Sequence, residues 1–320
     1  MSPKHNEPFT IGLIQQAVGA NKAETIRDTE EAIFEAAERG AQIICLQELF
    51  DAPYFCKVTD AERFNLAEPI PGPTVAGMQR IAADLGVAII VPIFERRGPG
   101  VYHNSTAVVD ADGSLLGTYR KMHIPDDPLY HEKYYFAPGE AGAPERGRGT
   151  PDEIYHHGET PRQQAGFRVF DTRFARIGVL ICWDQWYPEA ARITALMGAQ
   201  VLFYPTAIGW HPKEKDEWGR AQADAWRTIQ RGHAIANGVY VAAANRVGFE
   251  AEPGTDGIEF FGHSFVSDPF GRLIAETGTA PDVLTATCEP ALIEYTRRNW
   301  PFLRDRRIDA YGPILSRYLG

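Results

Sequence analysis

The sequence predicts an α/β fold, and three features carry that expectation. Apolar segments rich in β-branched residues alternate with amphipathic ones: FTIGLIQQAV, then ETIRDTEEAIFEAAERG, then AQIICLQELF, which reads as strand, helix, strand. The same alternation returns in the second half, where RIGVLIC and QVLFYPTAI bracket PEAARITALM. The third feature is an internal echo. Gly40-Ala41-Gln42-Ile43-Ile44 is matched by Gly198-Ala199-Gln200-Val201-Leu202, and the turn at Asp110 to Gly113 by the one at Asp268 to Gly271, each pair of glycines 73 residues apart. Either two α/β units resemble each other by chance or the two halves are built alike. If they are alike, two sheets pack face to face with helices outside, a four-layer α-β-β-α sandwich in a single domain spanning 1–320.

The punctuation supports each element in turn. Val75, Met78, Ile81 and Leu85 recur at helical spacing, Gly86 follows as a C-terminal stop, and VAIIVPIF then reads as a strand. Pro188 opens the helix of the second half and Gly198 closes it. One stretch breaks the pattern: Gly139 to Gly166 holds six Gly and three Pro in 28 residues and is expected to be a long inserted surface loop. From about 296 to 320 the chain mixes Arg with Trp300, Phe302, Tyr311 and Tyr318, as expected of an arm that packs against something, another subunit included. A nucleic-acid tail is the competing reading, and Asp305 and Asp309 argue against it.

Composition narrows the function. The chain carries 32 Lys and Arg against 42 Asp and Glu, a net charge of −10, which disfavours phosphate backbones and anionic lipid and makes a small molecule the expected partner. No apolar run reaches the roughly 18 residues that span a bilayer, and MSPKHNEPFT lacks the features of a signal peptide. A cytoplasmic protein is expected. The four cysteines are too widely spaced for a disulfide framework or a zinc site, and HExxH, paired CxxC and Gly-rich phosphate loops are missing. The expectation is therefore no metal and no cofactor.

Each cysteine is then weighed as a single thiol. Cys45 and Cys288 lie inside apolar strand patterns and read as core; Cys56 sits in the loop DAPYFCK, where it could be exposed, with nothing nearby to activate it. Cys182 differs. It ends the strand RIGVLIC and precedes WDQWYPEAAR, and groups at the carboxyl ends of strands face the ligand crevice of open α/β sheets. A buried structural cysteine is the alternative. Glu48 closes IICLQE, where a carboxylate is costly without a partner or a task, and Lys121 closes SLLGTYRK. Three strand ends thus supply a base, an oxyanion stabiliser and a nucleophile, the set that acyl transfer at a carbon-nitrogen bond requires.

Glu48 in CLQELF, Lys121 in YRKMHIPD and Cys182 in ICWDQWYPEAAR resemble the Glu-Lys-Cys triad of the nitrilase, or carbon-nitrogen hydrolase, superfamily. The resemblance runs over nearly the whole chain. It implies the α-β-β-α sandwich, association into a homodimer or a larger homo-oligomer, and Glu132 as a second glutamate beside the triad. Within the superfamily, CWDQWYPE, YRKMHIPDDPLYHEKYYF and LFYPTAIGW look most like the branch that hydrolyses N-carbamoylputrescine. That implies a cationic substrate, for which Asp184, Tyr54 and Tyr130 are the candidate contacts, while the backbone N–H of Trp183 is the candidate second oxyanion donor. Another carbamoyl acid, amide or nitrile is the alternative substrate, and a non-catalytic binding or assembly module the alternative of a different kind. The intact set of Glu48, Lys121, Glu132 and Cys182 favours the enzyme.

Overall fold

The computed structural model describes residues 5–140 and 166–320. The chain opens with β1 (Phe9–Gln15), α1 (Lys22–Glu38) and β2 (Ile43–Cys45). Asn21 caps α1 by accepting from the N–H groups of Ala23 and Glu24, which satisfies two donors the helix leaves free. α2 (Pro73–Leu85) begins on its proline and stops at Gly86, whose φ of 67° is left-handed, a conformation glycine adopts without a Cβ penalty. β3 (Ala88–Gly98), β4 (Val101–Val109), β5 (Leu115–Arg120) and the single-turn α3 (Glu132–Tyr135) complete the first half.

The second half runs β6 (Val169–Asp171), β7 (Arg176–Val179), α4 (Pro188–Leu196), β8 (Val201–Pro205), β9 (Gly209–Trp210), α5 (Lys215–Asn237) and β10 (Tyr240–Ala244). β11 (Val247–Glu250), β12 (Ile258–Phe261), β13 (Phe265–Ser267), β14 (Leu273–Glu276), β15 (Asp282–Cys288) and α6 (Pro290–Asn299) follow. One sheet has the order β15-β1-β2-β3-β4-β5 and the other β6-β7-β8-β10-β13-β14. In both, an antiparallel outer strand precedes three parallel strands, and an antiparallel pair ends the sheet.

The echo in the sequence is therefore an echo in topology. Both matched turns close in the same way: Gly113 N–H donates to Asp110 O and Gly271 N–H to Asp268 O. Both glycines have positive φ, and a Cβ on either would stand 2.6 Å from the helix packed behind it, Gln79 O on α2 or Ile235 Cδ1 on α5. Side chains from both sheets, Leu13, Ile90 and Tyr119 with Val179, Phe203 and Val241, form one core between them. On the outer face of the first sheet, Ile33, Val75, Met78 and Ala82 of the helices pack on Ile14, Ile44 and Ile89. Strands covered on both faces need apolar residues at every position, which is why β8 and β10 read as unbroken apolar runs.

Two details differ from the sequence expectation. RIGVLIC pairs in the sheet only over Arg176–Val179, and Leu180 to Cys182 leave the ladder. A third sheet, β11-β12-β9, adds to the end of the sandwich. Of the expected loop from Gly139 to Gly166, positions 141–165 lie outside the described residues. Beyond α6 the chain forms only short turns, with Ile308, Leu315 and Tyr318 exposed. Among the described residues no helix is long and apolar enough to cross a membrane.

Candidate active site

Three strand ends converge. Glu48 stands three residues past β2, Lys121 directly follows β5, and Cys182 opens a short 3-10 turn (Cys182–Trp186) after β7. All three are buried. Lys121 Nζ donates to Glu48 Oε1 at 2.8 Å and to Glu132 Oε2 at 2.7 Å. Asn104 Nδ2 also donates to Glu48 Oε1, and Tyr54 OH to Glu132 Oε1, each at 2.7 Å. The other oxygen of Glu48, Oε2, is buried without a hydrogen-bond partner among the described residues, the free acceptor that a general base needs.

Two residues here hold left-handed backbone without being glycine: Leu49 with φ 49° and Cys182 with φ 41°. Such conformations cost about 1–3 kcal/mol and persist only where surrounding contacts enforce them. At Leu49 the enforcing group is Arg246, wholly buried, whose Nη2 donates to Glu48 O at 2.7 Å and Leu49 O at 2.8 Å while Nη1 pairs with Glu250 at 2.8 Å. At Cys182 it is Asp184. Its Oδ2 accepts from Ile181 N–H (2.9 Å) and Tyr119 OH (2.7 Å), and its Oδ1 from His123 N–H (3.0 Å). One carboxylate thus ties the segment around Lys121 to the segment around Cys182.

Electrostatics divides the roles. Burial alone would pull the Lys121 ammonium down, but the carboxylates of Glu132 and Glu48 more than offset it and hold Lys121 well above the ordinary lysine value. Burial pushes the Cys182 thiol well up, the Glu48 charge adds to the rise, and Lys121 opposes it. Burial and the Glu48 charge both favour the thiol over the thiolate, the form that needs a base before it can act as a nucleophile. Burial also pushes Glu132 up to about 7, against the pull of Lys121 and with the Glu48 charge adding to the rise.

That last shift has a consequence for stability. Glu132 binds its proton more tightly in the native protein than in the unfolded chain, where a carboxyl titrates near 4.5. Its contribution to stability is thus complete below about pH 4.5 and is lost as pH rises through about 7, on the order of 3 kcal/mol in all. Glu132→Gln is expected to flatten this dependence. In thermal melts from pH 5 to 8 the variant should gain on the wild type as pH rises; parallel curves would refute the assignment.

The sulfur opens into a cavity of about 420 Å³, lined among others by Glu132, Cys182, Trp183, Trp186, Tyr130 and Ile208. Trp183 and Tyr130 line it, as candidate substrate contacts should. Tyr54 and Asp184 do not. Tyr54 is fully buried behind Glu132, and Asp184 spends both oxygens on backbone and side-chain donors under the cysteine turn. The expectation that Asp184 receives the substrate's cationic end is corrected on that ground: a carboxylate with its lone pairs so engaged has little left for a ligand. Cys56, whose loop left its exposure open, is fully buried in the cluster of Phe55, Phe94 and Tyr135.

Sequence reasoning missed Asn104 and Arg246, and at the exposed end of the cavity Asp127, His211 and Glu214. Arg246 did leave a signal, a charge two residues past the wholly apolar run Tyr240–Ala244, whereas Asn104 sits in the polar stretch His103 to Thr106 of its strand and does not stand out. Alternation alone cannot say which face such a residue takes or what it meets there.

A doubled α/β sandwich with a thiol, an ammonium and a carboxylate at converging strand ends, and a second carboxylate on the short helix α3, defines a class, hydrolases that act on carbon-nitrogen bonds. Residues 10–298 match the carbon-nitrogen hydrolase family, and the chain belongs to it. It is an enzyme that hydrolyses a carbon-nitrogen bond other than a peptide bond. Among its relatives are the N-carbamoylputrescine amidase of Solanum lycopersicum, 42% identical over 97% of this chain and 96% of that one, and the citrullinase of Francisella tularensis, 39% identical over 96% and 98%. The crystal structure of a carbon-nitrogen hydrolase from Helicobacter pylori G27 superposes with a TM-score of 0.88 at 40% identity, covering 98% of this chain and 100% of that one.

Proposed function

We propose that the chain hydrolyses the carbamoyl group of N-carbamoylputrescine to putrescine, carbon dioxide and ammonia, with Cys182 as the nucleophile. The observation that carries the chemistry is the buried Lys121 ammonium clasped by Glu48 and Glu132, with Glu132 and Cys182 lining one cavity. The identity to the amidase of Solanum lycopersicum, 42% over nearly the full length, supports the substrate.

In this mechanism Glu48 takes the thiol proton as the Cys182 sulfur attacks the carbamoyl carbon. Lys121 and the Trp183 N–H stabilise the oxyanion, each such donor typically being worth about 2.7–4 kcal/mol. Collapse of the adduct expels ammonia, which leaves with the proton that Glu48 returns, and a thiocarbamate remains on the sulfur. Glu48 then deprotonates a water positioned by Glu132. The water attacks the same carbon, the carbon-sulfur bond breaks, and the thiol regains its proton. The released carbamic acid divides into amine and carbon dioxide.

The test is ammonia release across a panel of N-carbamoylputrescine, N-carbamoyl-β-alanine, N-carbamoyl amino acids, simple amides and nitriles. The expected result is the highest kcat/KM for N-carbamoylputrescine; a higher value for an amide or nitrile would overturn the substrate assignment. The exposed apolar side chains past α6, with Ile308, Leu315 and Tyr318 among them, support the self-association that the family resemblance implies.

A further inference from the structure

The two ends of the catalytic cavity carry opposite tasks. Its buried end holds Cys182 and Glu132; its exposed end holds the carboxylates of Asp127 and Glu214. Nearby carboxylates have partners: Asp256 pairs with Lys213 (2.5 Å) and Glu259 with Lys215 (2.7 Å), and Asp126 lies 3.7 Å from His131 Nδ1. Asp127 and Glu214 have no ion-pair partner among the described residues, although both face the cavity. Glu214 is oriented by Gln222, another lining residue, whose Nε2 donates to its Oε2 at 3.2 Å. The remaining charged candidate on the wall, His211, is turned to Asp256, with Nε2 3.7 Å from the carboxylate. Among the described residues no Lys or Arg lines the cavity.

The cavity wall also carries Trp183, Trp186, Ile208 and Phe261. An apolar wall of this kind suits a methylene chain, and indole faces attract a cation at its end.

We propose that Asp127 and Glu214 form an ammonium subsite that selects ω-carbamoyl amines over carbamoyl amino acids. The proposal rests on the reading that a carbamoyl carbon is attacked by Cys182, and it adds how the far end of the substrate is chosen. N-carbamoylputrescine and citrulline share the same carbamoyl head and four-carbon chain. They differ in one carboxylate, placed on the carbon that bears the ammonium. Two unpaired carboxylates attract the first tail and repel the added charge of the second.

The experiment measures ammonia release from three ureas with that chain: N-carbamoylputrescine, neutral N-butylurea and L-citrulline. The enzymes compared are the wild type, Asp127→Asn, Glu214→Gln and Glu214→Lys. In the wild type, kcat/KM for N-carbamoylputrescine should exceed that for butylurea by roughly tenfold or more, the size expected of two partly solvated charge contacts. This ratio should fall severalfold in each neutral variant, through KM, and should decline with added salt. Glu214→Lys should raise citrulline relative to N-carbamoylputrescine.

A wild-type preference for citrulline, or ratios indifferent to all three substitutions, overturns the subsite. If the wild type hydrolyses all three ureas without regard to the tail, the carbamoyl hydrolase stands and the subsite alone falls. If it hydrolyses none, the functional reading fails and the subsite with it.

Discussion

Cys182→Ala abolishes ammonia release, lowering kcat by on the order of 10⁴-fold or more, because no other group in the cavity can form the acyl-type intermediate. The fold should survive. Cys182 is small, its carbonyl and N–H lie in a turn fastened by Asp184, and the lost sulfur borders an open cavity rather than a filled core. The thermal midpoint is therefore expected within a few degrees of the wild type. Rapid quenching of the wild type with N-carbamoylputrescine should show a protein mass increase equal to the substrate minus ammonia, and Cys182→Ala should show none. Turnover retained by the alanine variant would eliminate the nucleophile, whereas turnover lost together with the fold would show up in the melt.

Lys121→Met should be damaging twice over. It removes a donor to the developing oxyanion, a loss of roughly 10²–10³ in kcat. It also strands Glu48 and Glu132, wholly buried and no longer joined by the ammonium that each touches within 2.8 Å; breaking a buried pair in this way typically costs about 3–5 kcal/mol. The double variant Lys121→Met/Glu132→Gln separates the two effects. One stranded charge becomes a neutral amide that can still accept from Tyr54, so stability should recover in part. Activity should not recover. Thermal melts and kinetics on the single and double variants check both halves, and a double variant no more stable than Lys121→Met would show that the stranded carboxylate is not the source of the instability.

The arrangement also explains why the cysteine needs its neighbours. Burial favours the protonated thiol, so in the proposed mechanism the sulfur depends on a base to become a nucleophile. Glu48 is suited to that step by a division of labour between its oxygens: Oε1 is held by Lys121 and Asn104, and Oε2 is left free. Arg246 grips the backbone carbonyls of Glu48 and Leu49 and is not among the residues that line the cavity, so in the proposed mechanism its part is to hold Glu48 in place.

Much of the fold was legible because each half repeats a local grammar. Apolar runs marked the strands covered on both faces, Asn21, Pro188 and the glycines marked helix ends, and matched turns at Asp110 and Asp268 marked equivalent hairpins. Glu48, Lys121 and Cys182 were legible as chemistry at strand ends. Asp184 was misread because its sequence position, two residues from the thiol, says nothing of the direction its carboxylate takes, and a 3-10 turn sends it inward to Tyr119 and His123. Whether Cys56 is exposed could not be read from its loop, because the aromatics that cover it come from three separate segments.

Local residue order by itself determined the periodicity, the turns and the inventory of reactive groups, since these depend on interactions between positions a few residues apart. Tertiary structure alone decided that an ammonium sits between two carboxylates, that Arg246 lies under the base, and that Asp127 and Glu214 share a cavity with a sulfur at position 182. Those relations join segments separated by tens to hundreds of residues. Burial then sets their energies, because an interior that excludes water turns modest charge contacts into ones that decide which group holds a proton.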